Sequence, residues 1–180
     1  IFIPTPLTDS IMHTQCWSPY LIAWAFGCLG PMLFKVGELD AMHFFAFFYG
    51  NSGTGKSTLI KLIEALLEPA DVGALSNSFE GRFGASALYN KAFISASEVQ
   101  QNFSQFLDLA ELKQYATADN VSIRVKHQTA FAYKWCTQIA FAGNSFPGWD
   151  DPSAAIVRRL LVFHFSKSIE AGESNQELEQ

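Results

Sequence analysis

The sequence has few charged residues and few cysteines, and it has no apolar run long enough for a membrane span. Charged side chains make up 16% of the 180 residues, against about 25% in soluble proteins. Cys16, Cys28 and Cys136 are odd in number and lack a C-x-x-C spacing, which argues against disulfides and zinc and favours a reducing, intracellular compartment. The apolar stretch 20–34 contains glycines and a proline and is shorter than the ~20 residues of a spanning helix.

An excess of positive charge is also lacking. The net charge is −5 and the isoelectric point is about 5.3, so overall attraction to nucleic acid is not indicated. A local basic surface is still an alternative, because five of the twelve Lys and Arg residues lie between positions 124 and 159. The sequence begins with Ile1, and we expect it to be part of a longer polypeptide.

The apolar content, in contrast, is high enough for a large core. Hydrophobic residues make up 49% of the sequence, and 17 of them are phenylalanine. Short apolar runs predict strands over 44–49, 92–96, 121–126, 138–143 and 160–165. Helical spacing between these runs predicts a three-layer α/β domain with a central, mainly parallel sheet.

This pattern divides the chain into three parts. We expect a small N-terminal helical lead-in over 1–42, a P-loop core over 43–169 and an acidic, flexible tail over 170–180. Weaker patterns predict an irregular segment over 1–15, a helix from Pro19 to Leu29, and a turn and short helix over 34–43. They also predict a brief strand over 73–76, a loop over 77–84, one or two helical turns over 85–90 and a helix to Gln114 capped by Asn102 or Ser104.

One motif carries specific chemistry. Residues 50–57 have the spacing G-x-x-x-x-G-K-[ST] of a Walker A loop, between a predicted strand and a predicted helix. Glycines let backbone N–H groups approach phosphates, Lys56 can reach the β- and γ-phosphates, and the Ser57 hydroxyl can bind Mg²⁺. A chance match in a glycine-rich loop would lack the flanking elements. The predicted nucleotide-binding residues are Gly50, Asn51, Ser52, Gly53, Thr54, Gly55, Lys56, Ser57 and Thr58.

Polar residues that follow later strands are candidates for the catalytic groups. Glu98 follows the strand over 92–96, where an acid can polarise the attacking water or bind Mg²⁺ together with Ser57. Asn144 ends the strand over 138–143, and its amide can orient water and contact the γ-phosphate. The alternatives are an exposed helix-start glutamate and an ordinary turn asparagine.

Two adjacent arginines precede the last predicted strand. Arg158 or Arg159 can act as an arginine finger that reaches the γ-phosphate bound by a neighbouring subunit. Both can equally be ordinary surface charges.

In this order, the motifs resemble those of superfamily 3 helicases, most closely the helicase domain of poxvirus-type and phage or plasmid primase–helicases. The resemblance covers roughly residues 15–168, and its more specific part is Asn144-x-x-Pro147 followed by paired arginines and an apolar strand. It implies a hexameric, AAA+-like ring that uses ATP and Mg²⁺ to move along single-stranded DNA, with Glu98 as the Walker B acid, Asn144 as the sensor and Arg158 or Arg159 as the finger.

The resemblance also implies a DNA-contacting hairpin within 119–144, with Lys126, His127 and Lys134 as its cations. A solvated hairpin with chance charges is the alternative. Many Walker B motifs have two adjacent acids, whereas Ser97 precedes Glu98 here.

The sequence therefore predicts an ATP-dependent DNA helicase of viral or phage replication. It would act in host cytoplasm or nucleus on single-stranded or forked DNA, with a fused or separate primase and no membrane partner. The rival functions are an AAA+-like translocase or packaging ATPase, a small-molecule P-loop kinase, and a poorly hydrolysing, nucleotide-gated assembly scaffold.

Overall fold

The computed structural model of the chain describes residues 5–39, 42–75, 81–99, 101, 108–148 and 154–169, and only the backbone of residues 7 and 81–84. The helices are α1 (Pro6–Thr14), α2 (Pro19–Leu29), α3 (Lys56–Glu64), α4 (Gly81–Leu88) and α5 (Leu109–Ala116), and short 3₁₀ turns cover Gly30–Leu33, Pro69–Asp71 and Val157–Arg159. The strands are β1 (Phe45–Gly50), β2 (Val72–Ala74), β3 (Phe93–Ala96), β4 (Asn120–Ile123), β5 (Phe131–Lys134), β6 (Gln138–Gly143) and β7 (Leu160–Phe165). No helix in these described ranges is long and apolar enough to cross a membrane.

Five strands form one parallel sheet in the order β2-β3-β6-β1-β7. The most apolar strand, β1, lies between β6 and β7, with Phe48 beside Ala142 on one side and Phe163 on the other. Parallel strands need crossover connections, and three of the four contain a helix: α3, α4 and α5. The predicted α/β class with a central parallel sheet is confirmed, and the bounds of β6 and β7 agree with the apolar runs that predicted them.

The sheet buries a different cluster on each side because alternate residues of a strand point to opposite faces. On one side, which we call the P-loop face, α1, α2 and α3 pack over the sheet, and Met12, Leu59, Phe48 and Phe163 belong to the same buried cluster. On the other side, the hairpin face, α4, α5 and β4 cover a cluster that includes Phe47. These helical layers and the sheet form the predicted three-layer sandwich.

Three local predictions were wrong. The N-terminal segment is not irregular, because Pro6 starts α1 and Ile11 and Met12 are buried at its end. Packing of one face stabilises so short a helix more than its intrinsic propensity does. Residues 34–39 form a turn and no helix, although a short helix was predicted within 34–43. Helix α4 begins at Gly81, inside the loop predicted over 77–84.

The helix predicted to end at Gln114 begins later and ends later than expected. Its N-cap is Asp108, whose side chain accepts a hydrogen bond from the Ala110 N–H at 2.7 Å, and it ends at Ala116. The predicted caps Asn102 and Ser104 lie outside the described residues, as does the predicted tail over 170–180.

Candidate nucleotide-binding site

The Walker A residues form the loop that joins β1 to α3. The helix begins at Lys56, directly after Gly55, which caps it with φ of +91°. A side chain is strained in this left-handed region, so the position favours glycine. The loop therefore ends at a helix N-terminus, where backbone N–H groups without an intrahelical partner can bind an anion.

The Lys56 ammonium is buried within this loop. Its Nζ donates to the Gly50 carbonyl at 2.7 Å, to the Asn51 carbonyl and to the Thr54 hydroxyl at 3.3 Å. Only 6% of the residue is exposed, and burial lowers the pKa of the ammonium because it disfavours the charged form. All three acceptors are neutral oxygens, and none of them offsets the positive charge of the ammonium. An anion bound in the loop would add this charge interaction.

The ends of β3 and β6 lie next to the P-loop and bring Glu98 and Asn144 to the same place. The Val99 N–H donates to the Ala142 carbonyl at 2.8 Å, which joins the two segments just beyond their strands. A Cβ added at Gly143 would lie 2.8 Å from the Val99 carbonyl oxygen, so this close approach needs glycine. Glycine at this position thus keeps the two polar side chains close together.

These segments enclose a cleft of about 560 Å³ at the carboxyl edge of the sheet, the edge where parallel α/β proteins bind ligands. Glu98, Asn144 and Ser57 are exposed to solvent within it. The sequence predicted these residues separately, and the fold brings them together with Lys56. The lining residues are Ser52, Gly53, Thr54, Gly55, Lys56, Ser57, Thr58, Ser97, Glu98, Val99, Gln101, Gly143, Asn144 and Ser145.

Arg158 and Arg159 lie at the N-terminal ends of the strands, whereas the cleft lies at their C-terminal ends. They precede Leu160, which pairs with Phe45 at the start of β1, whereas the P-loop follows Gly50 at its end. Five residues of parallel strand separate the two edges by about 17 Å. The Arg159 guanidinium donates to the Ala155 carbonyl at 2.7 Å, and Arg158 is exposed. Neither arginine lines the cleft of its own chain.

The three predicted DNA-contacting residues lie on an antiparallel hairpin of β4 and β5. Asn120 pairs with Lys134 at its base, and Ile123 pairs with Phe131 near its tip. Lys126 and His127 lie in the connecting turn, and both are exposed, as is Lys134. The predicted strand over 121–126 therefore ends early, because the chain turns back after Ile123.

Aromatic packing anchors the base of this hairpin to the hairpin face. The Trp135 ring stacks on Tyr115 of α5 with centroids 3.9 Å apart, and Tyr89 makes an edge contact with Tyr133 at 5.0 Å. Burial, together with the nearby Glu111, raises the pKa of Tyr115, so this phenol stays neutral. None of the three candidate cations lines the nucleotide cleft.

Several residues around the cleft were not predicted from the sequence. Gln101 and Ser145 line it, Gly143 allows the close approach of the strand ends, and Gln15 contacts the P-loop from α1. The glycine before Asn144 is a signal that a turn rule can detect. Gln15 has no such signal, because it lies 39 residues before its partner Thr54.

Comparison with known proteins supports the fold. Residues 48–159 match the model of DUF5906, a family of unknown function. No curated protein matches the sequence. The C-terminal region of NrS-1 is similar in structure with a TM-score of 0.72 and 16% identity, covering 99% of this chain and 42% of that one.

A second structure of the NrS-1 C-terminal region has a TM-score of 0.72 and 18% identity, covering 99% of this chain and 46% of the other. A JCV helicase structure has a TM-score of 0.61 and 13% identity, covering 87% of this chain and 43% of that one. At these identities the likeness concerns the fold, which is shared with a helicase domain. The chain spans less than half of each of these structures.

Proposed function

Because this chain belongs to DUF5906, a family of unknown function, its activity must follow from its own residues, and we propose that it is an ATP-dependent DNA helicase domain of the superfamily 3 type. The observation that carries the proposal is the cleft in which the P-loop, Glu98 and Asn144 meet. A P-loop alone serves many NTPases. An acid and an amide at the ends of the next two strands favour a site that hydrolyses the nucleotide.

The residues of this cleft fit a nucleoside triphosphate and Mg²⁺. The loop ends at the N-terminus of α3 and contains a buried ammonium held by neutral oxygens, which suits the charge of a triphosphate. Ser57 offers a hydroxyl and Glu98 a carboxylate, and hard oxygen donors are the ligands that Mg²⁺ prefers. When bound, ATP supplies the phosphoryl group that is transferred to water, and Mg²⁺ neutralises charge on its oxygens.

Each polar residue then has one task. Lys56 offsets negative charge on the β- and γ-phosphates. Glu98 accepts a hydrogen bond from the attacking water and increases its nucleophilicity. Asn144 has both an acceptor and donors in its amide, so it can hold this water and a phosphate oxygen at once.

We assign the arginine finger to Arg158, acting on ATP bound to a neighbouring subunit. Its position at the opposite edge of the sheet, about 17 Å from its own P-loop, is too far for a contact in the same chain. Arg159 is less suited, since its guanidinium already donates to Ala155. A trans-acting finger requires a neighbouring subunit, which a closed ring supplies at every interface, and the proposed assembly is a homohexamer.

The hairpin is the proposed contact with single-stranded DNA. Lys126 and His127 lie at its exposed turn and Lys134 on β5, while aromatic packing fixes its base. Six subunits would place six such turns around one strand of DNA. Their cations would contact its phosphates locally, although the chain as a whole is acidic. The proposed setting is a reducing compartment during viral or phage replication, with a primase supplied by a further domain or protein.

ATP turnover with and without single-stranded DNA, followed by unwinding of a forked duplex, tests the proposal on the full-length protein. We expect DNA to stimulate hydrolysis and the fork to be opened only when ATP is hydrolysed. Stimulated hydrolysis without unwinding would favour the translocase or packaging ATPase instead. Nucleotide binding without turnover would favour the assembly scaffold, whose supporting feature is the single acid at Glu98. ATP turnover that depends on a small acceptor molecule would indicate a kinase.

A further inference from the structure

Gln15 is a buried polar residue that contacts the P-loop from a distant part of the chain. It lies at the C-terminal end of α1 and is 3% exposed. Its Nε2 donates to the Thr54 carbonyl at 3.0 Å and to the Lys167 carbonyl at 2.7 Å, and its Oε1 accepts from the Lys167 N–H at 2.9 Å. Buried amides need such partners, and here the partners are the P-loop and the segment that follows β7.

A second hydrogen bond reaches the same part of the loop. The Ile169 N–H donates to the Gly53 carbonyl at 2.8 Å. Gly53 and Thr54 therefore each accept one hydrogen bond from outside the loop, and we call these two bonds the rear contacts. Gln15 also fixes the segment that carries Ile169, because its amide pairs with both backbone groups of Lys167. The two rear contacts are thus parts of one arrangement.

The rear contacts determine which way the loop amides point. In a planar trans peptide, the carbonyl and the N–H of one unit point in opposite directions. A carbonyl of Gly53 held at the rear therefore turns the Thr54 N–H forward, and a carbonyl of Thr54 held at the rear turns the Gly55 N–H forward. Thr54 and Gly55 line the cleft, whereas Gln15 and Ile169 do not, so the two carbonyls turn away from the cleft and the two N–H groups turn towards it.

Thr54 also connects the rear contacts to Lys56. The Thr54 hydroxyl donates to the Asn51 carbonyl at 2.9 Å and accepts from Lys56 Nζ at 3.3 Å. A shift of Thr54 would move an oxygen that positions the ammonium as well as the forward N–H groups. Preorganised donors of this kind bind charge without reorganisation at the moment of binding.

We infer that Gln15 is a positioning residue for phosphate binding, which acts through the two rear contacts and does not touch the nucleotide. This inference rests on the proposed function, because it assigns a role within the same ATP site. It adds a residue from α1 to a site that the sequence placed wholly within the P-loop core over 43–169.

The test compares two substitutions of Gln15 with a control on the same segment. Gln15→Glu keeps the acceptor for the Lys167 N–H but loses the donor to Thr54, and Gln15→Met loses all three hydrogen bonds at similar volume. The control Trp17→Phe removes the hydrogen bond from Trp17 Nε1 to the His164 carbonyl, 3.2 Å long, which holds the same segment to β7 without touching the P-loop. The dissociation constant for Mg²⁺ and fluorescently labelled ATP, the kcat and KM for ATP, and the melting temperature are measured for each.

We expect both Gln15 variants to bind ATP about tenfold more weakly than the natural protein, at a temperature where all variants are folded. Because Gln15 does not contact the reacting atoms, KM should rise while saturating ATP restores most of kcat. Trp17→Phe should lower the melting temperature without changing the dissociation constant. Equal ATP affinity in the Gln15 variants, or an equal loss in Trp17→Phe, would overturn the inference and leave the proposed function in place.

Two further results remain decisive. If neither Gln15 variant folds, Ile169→Pro tests the other rear contact, because proline lacks the N–H that binds Gly53. Ile169→Ala serves as the control, because it keeps the N–H but, like the proline variant, loses the side chain that lies close to Gly55. Unchanged ATP affinity in Ile169→Pro would then reject the inference. Failure of the natural protein itself to bind ATP would reject both the inference and the proposed function.

Discussion

Both faces of the sheet pack aromatic rings, and they differ in the backbone atoms that their side-chain hydrogen bonds hold. On the P-loop face, side-chain hydrogen bonds reach backbone atoms near the site, as Gln15 does to Thr54 and Trp17 to His164. On the hairpin face, they hold the backbone at the base of the hairpin, as Trp135 Nε1 does at the Thr137 carbonyl and the Thr137 hydroxyl does at the Lys91 carbonyl. One face thus fixes backbone groups of the P-loop, and the other fixes the base of a hairpin whose polar turn stays in solvent.

This difference fits two separate tasks. Hydrogen bonds are directional and fix atoms within tenths of an ångström, which a phosphate site needs. The hairpin turn lies in solvent beyond its anchored base, and cations that interact with a flexible polyanion need less precise placement. The faces should therefore respond independently to substitution, since residues far apart without shared partners act additively.

Lys56→Ala should have the largest effect and should separate the faces most clearly. We expect ATP turnover to fall to background and ATP affinity to drop, because the charge that opposes the phosphates is removed. Nucleotide-independent DNA binding should remain. Lys61→Ala, an exposed cation on the same helix α3, serves as the control, and wild-type turnover in Lys56→Ala would refute the nucleotide site.

Arg158→Ala should reduce turnover by about 10³-fold with little change in melting temperature, because the side chain is exposed. Arg159→Ala should instead lower stability by about 1 kcal/mol, since it loses the bond to Ala155. Mixed assemblies of Arg158→Ala with Lys56→Ala subunits should regain activity at interfaces that join an intact finger to an intact P-loop. No recovery in verified mixed assemblies would mean that Arg158 does not act between subunits.

Glu98→Gln should reduce turnover by about 10²–10³-fold while ATP still binds. The amide keeps the shape of the side chain but cannot activate water as a carboxylate does. Nucleotide titration and steady-state ATPase assays distinguish the two effects, with Glu68→Gln as an exposed control on the protein surface. An equal loss of ATP affinity would assign Glu98 to Mg²⁺ binding or to structure.

Lys126→Ala and Lys134→Ala should have the smallest effect and should act on the hairpin face alone. Each should weaken single-stranded DNA binding several-fold and reduce the salt dependence by about one released counterion, with basal ATPase activity unchanged. Lys61→Ala on the P-loop face should change neither quantity. Unaltered affinity and salt dependence in both hairpin variants would remove the hairpin from the DNA path.

The local patterns of the chain predicted most of the sheet. The runs at 138–143 and 160–165 are mostly apolar, as is typical of strands in a parallel sheet covered by helices, and they agree with β6 and β7. At two helices the local pattern was misleading. Helix α1 was missed because its burial depends on a sheet that lies outside the segment, and α4 begins where glycines suggested a loop.

The P-loop and the apolar strands next to it can be predicted from the sequence alone. The residue types of the P-loop follow from backbone geometry and phosphate chemistry within eight positions. The tertiary structure alone decided which residues meet. The strand order β2-β3-β6-β1-β7 brings Glu98 and Asn144 to Lys56 and moves Arg158 to the far edge. The packing of α1 on the sheet also brings Gln15 to Thr54 and Lys167, which are 39 and 152 residues away in the chain. The physical reason is that these contacts depend on packing over long sequence separations, which no local pattern of residues encodes.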